Sequence, residues 1–159
     1  MRIIYSFIII AILPFFVSKK APEPDVRYCN ARFQFCVEFP DTLLPVQVIS
    51  DNSDGIILKS KDEKVVATIA GIQGVTSRNT WDLYDDFVGE WMEDEGVKII
   101  SENIEQNYYK VSFIDGKNKY WQHLFNMGDK YVIFQIVAPK SEAHQIDKIR
   151  EHLQLTFNM

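Results

Sequence analysis

The side chains best suited to chemistry are few: His123, His144 and His152, with Cys29 and Cys36, in a chain of 159 residues. His144 and His152 stand about two helical turns apart, too far to share a metal ion as an i, i+4 pair does. His123 falls in an alternating apolar stretch, where an imidazole is ordinarily a hydrogen-bonded core residue. A zinc site at Cys29 and Cys36 would need two further ligands and none lie nearby, so no metal is expected. No G-x-S-x-G elbow is present to expose a nucleophilic serine. The glycine-rich signatures that cradle phosphates are missing too, so no cofactor is expected. Asp82, Asp85, Asp86 and Glu93 could form an acid/base pair or a cation site, but no apolar surround would raise one carboxyl selectively. They read as the solvated side of a helix. Asp51-Asn52-Ser53-Asp54-Gly55 departs from the calcium-loop register and lacks the closing Glu, so it reads as a turn.

Lys and Arg total 17 against 22 Asp and Glu, a net charge of −5 that offers no positive field to a phosphate backbone. Nucleic acid is excluded as the expected partner. With 47% hydrophobic and 25% charged residues the chain is neither disordered nor low-complexity, and its length suits one domain.

Arg2, an apolar run from Ile3 to Val17, and then Ser18, Lys19 and Lys20 have the shape of a signal peptide over 1–18. A helix of about 15 residues spans only about 22 Å, short of a bilayer core of roughly 30 Å. Membrane contact is therefore expected only through an uncleaved leader, since no small-x-small cleavage triplet stands out. Residues 19–26, with Pro22 and Pro24, read as an extended tether, and 27–159 as a single domain. Export would place the chain in the periplasm or cell envelope. There Cys29 and Cys36 are expected to form a local disulfide, with two buried thiols as the alternative.

Phe33, Phe35, Val37 and Phe39 alternate with polar or small residues as in a strand, ended by Pro40. Asp41 to Val46 reads as a turn. Gly55 to Ser60 and Val65 to Ala70 form a hairpin across a charged connection. A loop from Gly71 to Asn79 leads to an amphipathic helix capped by Thr80 and stopped at Gly96, in which Tyr84, Phe87, Val88, Trp91 and Met92 recur at helical spacing. Val97 to Ile104, Tyr108 to Ile114, Lys119 to Met127 and Tyr131 to Ala138 make a four-stranded antiparallel meander. Ser141 can cap a last helix carrying Ile146, Ile149 and Leu153.

Within the meander, Tyr109, Val111 and Phe113 are expected to share a helix-covered face with Trp121, His123, Phe125 and Met127, and with Val132, Phe134 and Ile136. The other face, with Tyr108, Tyr120, Leu124, Tyr131 and Ile133, is half-polar and rich in tyrosine. It is a candidate partner surface unless another segment of the domain covers it, and the rim near Trp81 and Trp91 is the other candidate. A pocket between sheet and helix would hold Tyr109, Trp121 and His123.

The opening Tyr-Cys-Asn-x-Arg-Phe-x-Phe (Tyr28 to Phe35), then Val37-Glu38-Phe39-Pro40, followed by hairpin, helix, meander and helix, resembles the PsbP-like superfamily. That superfamily includes a photosystem II extrinsic subunit, a yeast nuclear import factor and many small exported bacterial proteins. The resemblance implies an α+β fold, an α/β/α sandwich around a mainly antiparallel sheet, and a binding or assembly role in place of catalysis. The expected function is thus a non-enzymatic protein-binding module of the envelope, with another protein as partner. Alternatives are a periplasmic immunity protein against a toxin, or a small ligand-binding protein or hydrolase using the sheet–helix pocket.

Overall fold

Alternation of apolar and polar residues from Val26 to Phe39 produces a hairpin, strands β1 (Val26–Asn30) and β2 (Phe35–Phe39), where the sequence suggested a single strand from Phe33. The computed structural model describes residues 26–74, 78–94 and 96–157, so the leader and all of the tether but Val26 lie outside the described residues. Val26, assigned to the tether, opens β1. Cys29 stands directly opposite Cys36 and is joined to it by a disulfide. Residues 31–34 form the turn, with Gln34 in the left-handed region at φ 56°. Asn30 holds that turn: its side-chain oxygen accepts from the Phe33 N–H at 3.0 Å, and its amide donates to the Ser53 carbonyl at 2.8 Å.

After a turn at Pro40, the segment read as part of that turn begins strand β3 (Val46–Ile49). β4 (Gly55–Lys59) and β5 (Val66–Gln73) follow as the expected hairpin, except that β5 runs past Ala70 into the predicted loop. Gly71 explains the extension. It lies in register with Val132, and a Cβ there would sit 2.0 Å from the ring of Phe33, so only glycine lets that aromatic lie flat on the strand.

The helical segment consists of α1 (Thr80–Tyr84), a π turn (Asp85–Gly89) and α2 (Glu90–Met92). Its cap is Asn79, which accepts from the Asp82 N–H, while the Thr80 hydroxyl donates to the Gln106 carbonyl at 2.6 Å. The residue inserted by the π turn rotates the following face by about 100°. The meander is β6 (Val97–Ile104), β7 (Tyr108–Asp115), β8 (Asn118–Asn126) and β9 (Lys130–Pro139). A 3-10 turn over Lys140–Glu142 precedes α3 (His144–His152), whose N-cap is Ala143 rather than Ser141. The tail residues Leu155 and Phe157 belong to β10 (Gln154–Phe157).

Seven strands form one antiparallel sheet in the order β3-β4-β5-β9-β8-β7-β6, and β1-β2-β10 form a second. The helical segment carries the chain from β5 to the far edge, from which the meander returns until β9 pairs with β5. One face of the large sheet is covered by α3 and the small sheet, around Phe33, Phe35, Phe39, Leu58, Ile69, Ile136 and Ile146. The other is covered by the helical segment, which buries Leu83, Tyr84 and Val88 against Tyr109, Val111, Phe113 and Leu124. Burying each such large side chain contributes about 1.5–3 kcal/mol. The result is the α+β, α/β/α sandwich expected from the resemblance, with the small sheet sharing one outer layer.

Candidate functional site

Register decides which candidate residues meet. β7 turns into β8 through Gly116 and Lys117, with Asp115 paired to Asn118, so odd-numbered residues of β7 stand opposite even-numbered residues of β8. Tyr109 pairs with Leu124, Val111 with Gln122 and Phe113 with Tyr120. Opposed residues project to the same side of a sheet. The expected grouping of Tyr109, Val111 and Phe113 with Trp121 and His123 is therefore wrong by one residue.

The tyrosine-rich surface changes accordingly. Tyr120, Leu124, Tyr131 and Ile133 do share a face, but it is the face under the helical segment. Leu124 is fully buried and Tyr120 is 8% exposed, and the ring of Tyr131 meets Phe87 edge-on at 5.7 Å. Tyr108 lies on the opposite face. The five residues thus do not make one exposed surface, because Tyr120, Leu124 and Tyr131 pack with the helical segment, Ile133 is half-buried and Tyr108 faces the other way.

What the helical segment leaves exposed is different. Trp81 is 60% exposed, Met92 49% and Trp91 38%. Trp91 is fixed on its inner side, edge-on to Phe113 at 5.7 Å and to Tyr120 at 5.2 Å. Around these side chains stand Asp82, Asp85, Asp86, Glu90, Glu93 and Asp94, all exposed, with no Lys or Arg from Thr80 to Asp94. Arg78, just before the helix, pairs with Asp86 and donates to the Asp82 carbonyl at 3.2 Å. That guanidinium holds the Asp86 carboxyl below its ordinary range.

Of the predicted pocket, Trp121 and His123 come together and Tyr109 does not. They line a cleft of about 550 Å³ between α3 and the sheet, with Phe125, Phe134, Leu153 and Leu155. Lys110, Asp147, Arg150 and Glu151 complete its lining. His123 lies 3.8 Å from Phe125 between ring centroids, the rings tilted by 35°, and meets Tyr108 and Trp121 edge-on at 5.6 and 5.8 Å. Its Nε2 is buried with no hydrogen-bond partner among the described residues. Burial, assisted by Lys110 and Arg150, pushes its pKa down to about 3, so the ring is neutral at physiological pH. The Arg150 guanidinium lies 4.7 Å from the centre of the Trp121 ring and donates to Asp147 at 3.0 Å. Sequence reasoning missed Lys110 and Arg150, which reach the cleft from separate elements. No Ser, Thr or Cys lines the cleft, so its described residues do not build the covalent machinery of a serine- or cysteine-type hydrolase.

The layers, strand order and helix placement define a PsbP-like fold. Among solved structures, the cyanobacterial PsbP protein CyanoP of Synechocystis sp. PCC 6803 superposes with a TM-score of 0.55 at 8% identity, covering 82% of this chain and 92% of that one. The Ran-binding protein Mog1p of Saccharomyces cerevisiae superposes with a TM-score of 0.53 at 9% identity, covering 81% of this chain and 94% of that one. At such identities the likeness is one of fold. The chain matches no protein-family model and no curated protein sequence.

Proposed function

We propose that this chain is an exported, non-enzymatic protein-binding or assembly module of the cell envelope, and that it engages its partner through the helical segment 80–92. The observation that carries this reading is Trp81, 60% exposed on a helix otherwise bordered by carboxylates. A large aromatic side chain held in water gains most when a partner buries it, and tryptophan is enriched among the residues that dominate interface energy. The acidic border selects a partner with a basic rim around an apolar socket, and it speeds encounter in a salt-dependent way. The likeness to Mog1p, a Ran-binding protein, is in keeping with such a role, since the same fold there serves a protein partner. The Cys29–Cys36 disulfide suits an oxidising compartment, which together with the apolar leader supports export.

The test is affinity capture from an envelope extract with the folded chain and with Trp81→Ala in parallel. A partner held by the first, lost with the second and weakened by salt is the expected result. A clean monomer that retains no protein at any salt concentration would contradict it.

A further inference from the structure

We infer that the cleft between α3 and the β7–β8 face binds a small amphipathic anion, an aromatic or aliphatic carboxylate whose apolar body lies on Trp121 and Phe125 and whose head group meets Lys110. This site is distinct from the helical surface proposed above and lies on the other side of the sheet.

The cleft is concave and of the size of ligand pockets, about 550 Å³. Its floor is aromatic and aliphatic, which favours an apolar body by area buried. The charged residues at its mouth are not equivalent. Asp147 accepts from Arg150 at 3.0 Å and lies 4.0 Å from the Lys119 ammonium, so its charge is engaged on the wall. Lys110 has no carboxylate within ion-pair distance among the described residues; its ammonium lies 5.3 Å from the centre of the Tyr108 ring.

Lys110 and Arg150 both lie near enough to His123 to disfavour its protonation. Asp147 is shared between Arg150 and Lys119, so three cations, Lys110, Arg150 and Lys119, stand at this mouth against the two carboxylates Asp147 and Glu151. An anion entering gains from that excess of positive charge. A cation of the same shape is repelled there. Neutral His123 adds a flat stacking surface without competing for the anion's charge.

The experiment uses 2-naphthoate as probe, 2-naphthylmethylamine as its cationic counterpart, and the folded chain isotopically labelled for NMR. Its three tryptophan indole N–H signals report separately on the cleft and on the helical surface. Saturable binding of 2-naphthoate that moves the Trp121 indole, with at least tenfold weaker binding of the amine, is expected. Lys110→Gln, an exposed substitution, should weaken 2-naphthoate about tenfold, the loss of one charge-assisted contact. Absence of binding, equal binding of the amine, shifts confined to Trp81 and Trp91, or an unchanged affinity in Lys110→Gln would each overturn the assignment.

Discussion

Tyr109 stands directly opposite Leu124 in the β7–β8 ladder, and both side chains are wholly buried beneath the helical segment. The Tyr109 ring meets Tyr84 edge-on at 5.3 Å, yet its hydroxyl has no hydrogen-bond partner among the described residues. Burial, with Tyr84 and Tyr131 close by, pushes that hydroxyl's pKa up. An unpaired buried hydroxyl is a desolvation cost without a return. Tyr109→Phe keeps the ring and removes the cost, so stability measured by urea unfolding should stay level or rise by about 1 kcal/mol. A clear loss would mean that the hydroxyl is satisfied in solution.

Gly71 gives a sharper packing test. Because a Cβ at this position would lie 2.0 Å from the Phe33 ring, Gly71→Ala must push that ring off β5. Overpacking of this kind costs about 1–3 kcal/mol. Phe33→Leu in the same background should recover part of the loss, since it removes the clashing ring, whereas Phe33→Leu alone should destabilise. Purely additive effects in that double-mutant cycle would argue against the contact.

The disulfide closes a short loop between paired strands, Cys29 opposite Cys36. On loop-entropy grounds its removal by the double substitution Cys29→Ser and Cys36→Ser should cost about 2–3 kcal/mol. Thermal unfolding of the two forms measures it, and an unchanged midpoint would show that the β1–β2 hairpin is held by its other contacts alone.

His123 makes stability depend on pH in a defined window. The folded-state value is depressed to about 3 from an ordinary 6.5, so between those values the unfolded chain carries the extra proton. Above pH 6.5 the group contributes no pH dependence; as pH falls below it, the folded state loses stability until about pH 3. Lys110 and Arg150 are the cations that add to this depression. His123→Phe removes the effect, and its stability relative to the parent should improve steadily from pH 7 to pH 4.5 in urea titrations. A pH-independent difference would mean that the imidazole protonates in place.

Much of this architecture is legible in the chain, and the reasons for the rest are physical. β4, β5 and the meander announce themselves because alternating apolar runs are punctuated by strong turn signals such as Asp115-Gly116 and Gly128-Asp129. β3 and β10 have only four residues each, too few for a period to emerge, and exist because neighbouring strands offer an edge. Trp121 and His123 could be placed together from parity within one strand. Tyr109 could not, since its face depends on whether the β7–β8 turn has two residues or three. Lys110 and Arg150 converge on the cleft only because α3 packs on β9 and reaches over Trp121 of β8, the strand beside β7, which no local pattern encodes. The exposure of Trp81 likewise depends on how the helical segment lies on the sheet.

The central claim, a protein-binding surface on that segment, is tested most directly by site-specific photocrosslinking in cells. A photoreactive amino acid in place of Asp85, an exposed position one turn from an intact Trp81, should yield a discrete crosslinked species with one partner, while the same group in place of Val48, an exposed residue of the edge strand β3, should not. Crosslinks from the Val48 position alone, or from neither position, would contradict it.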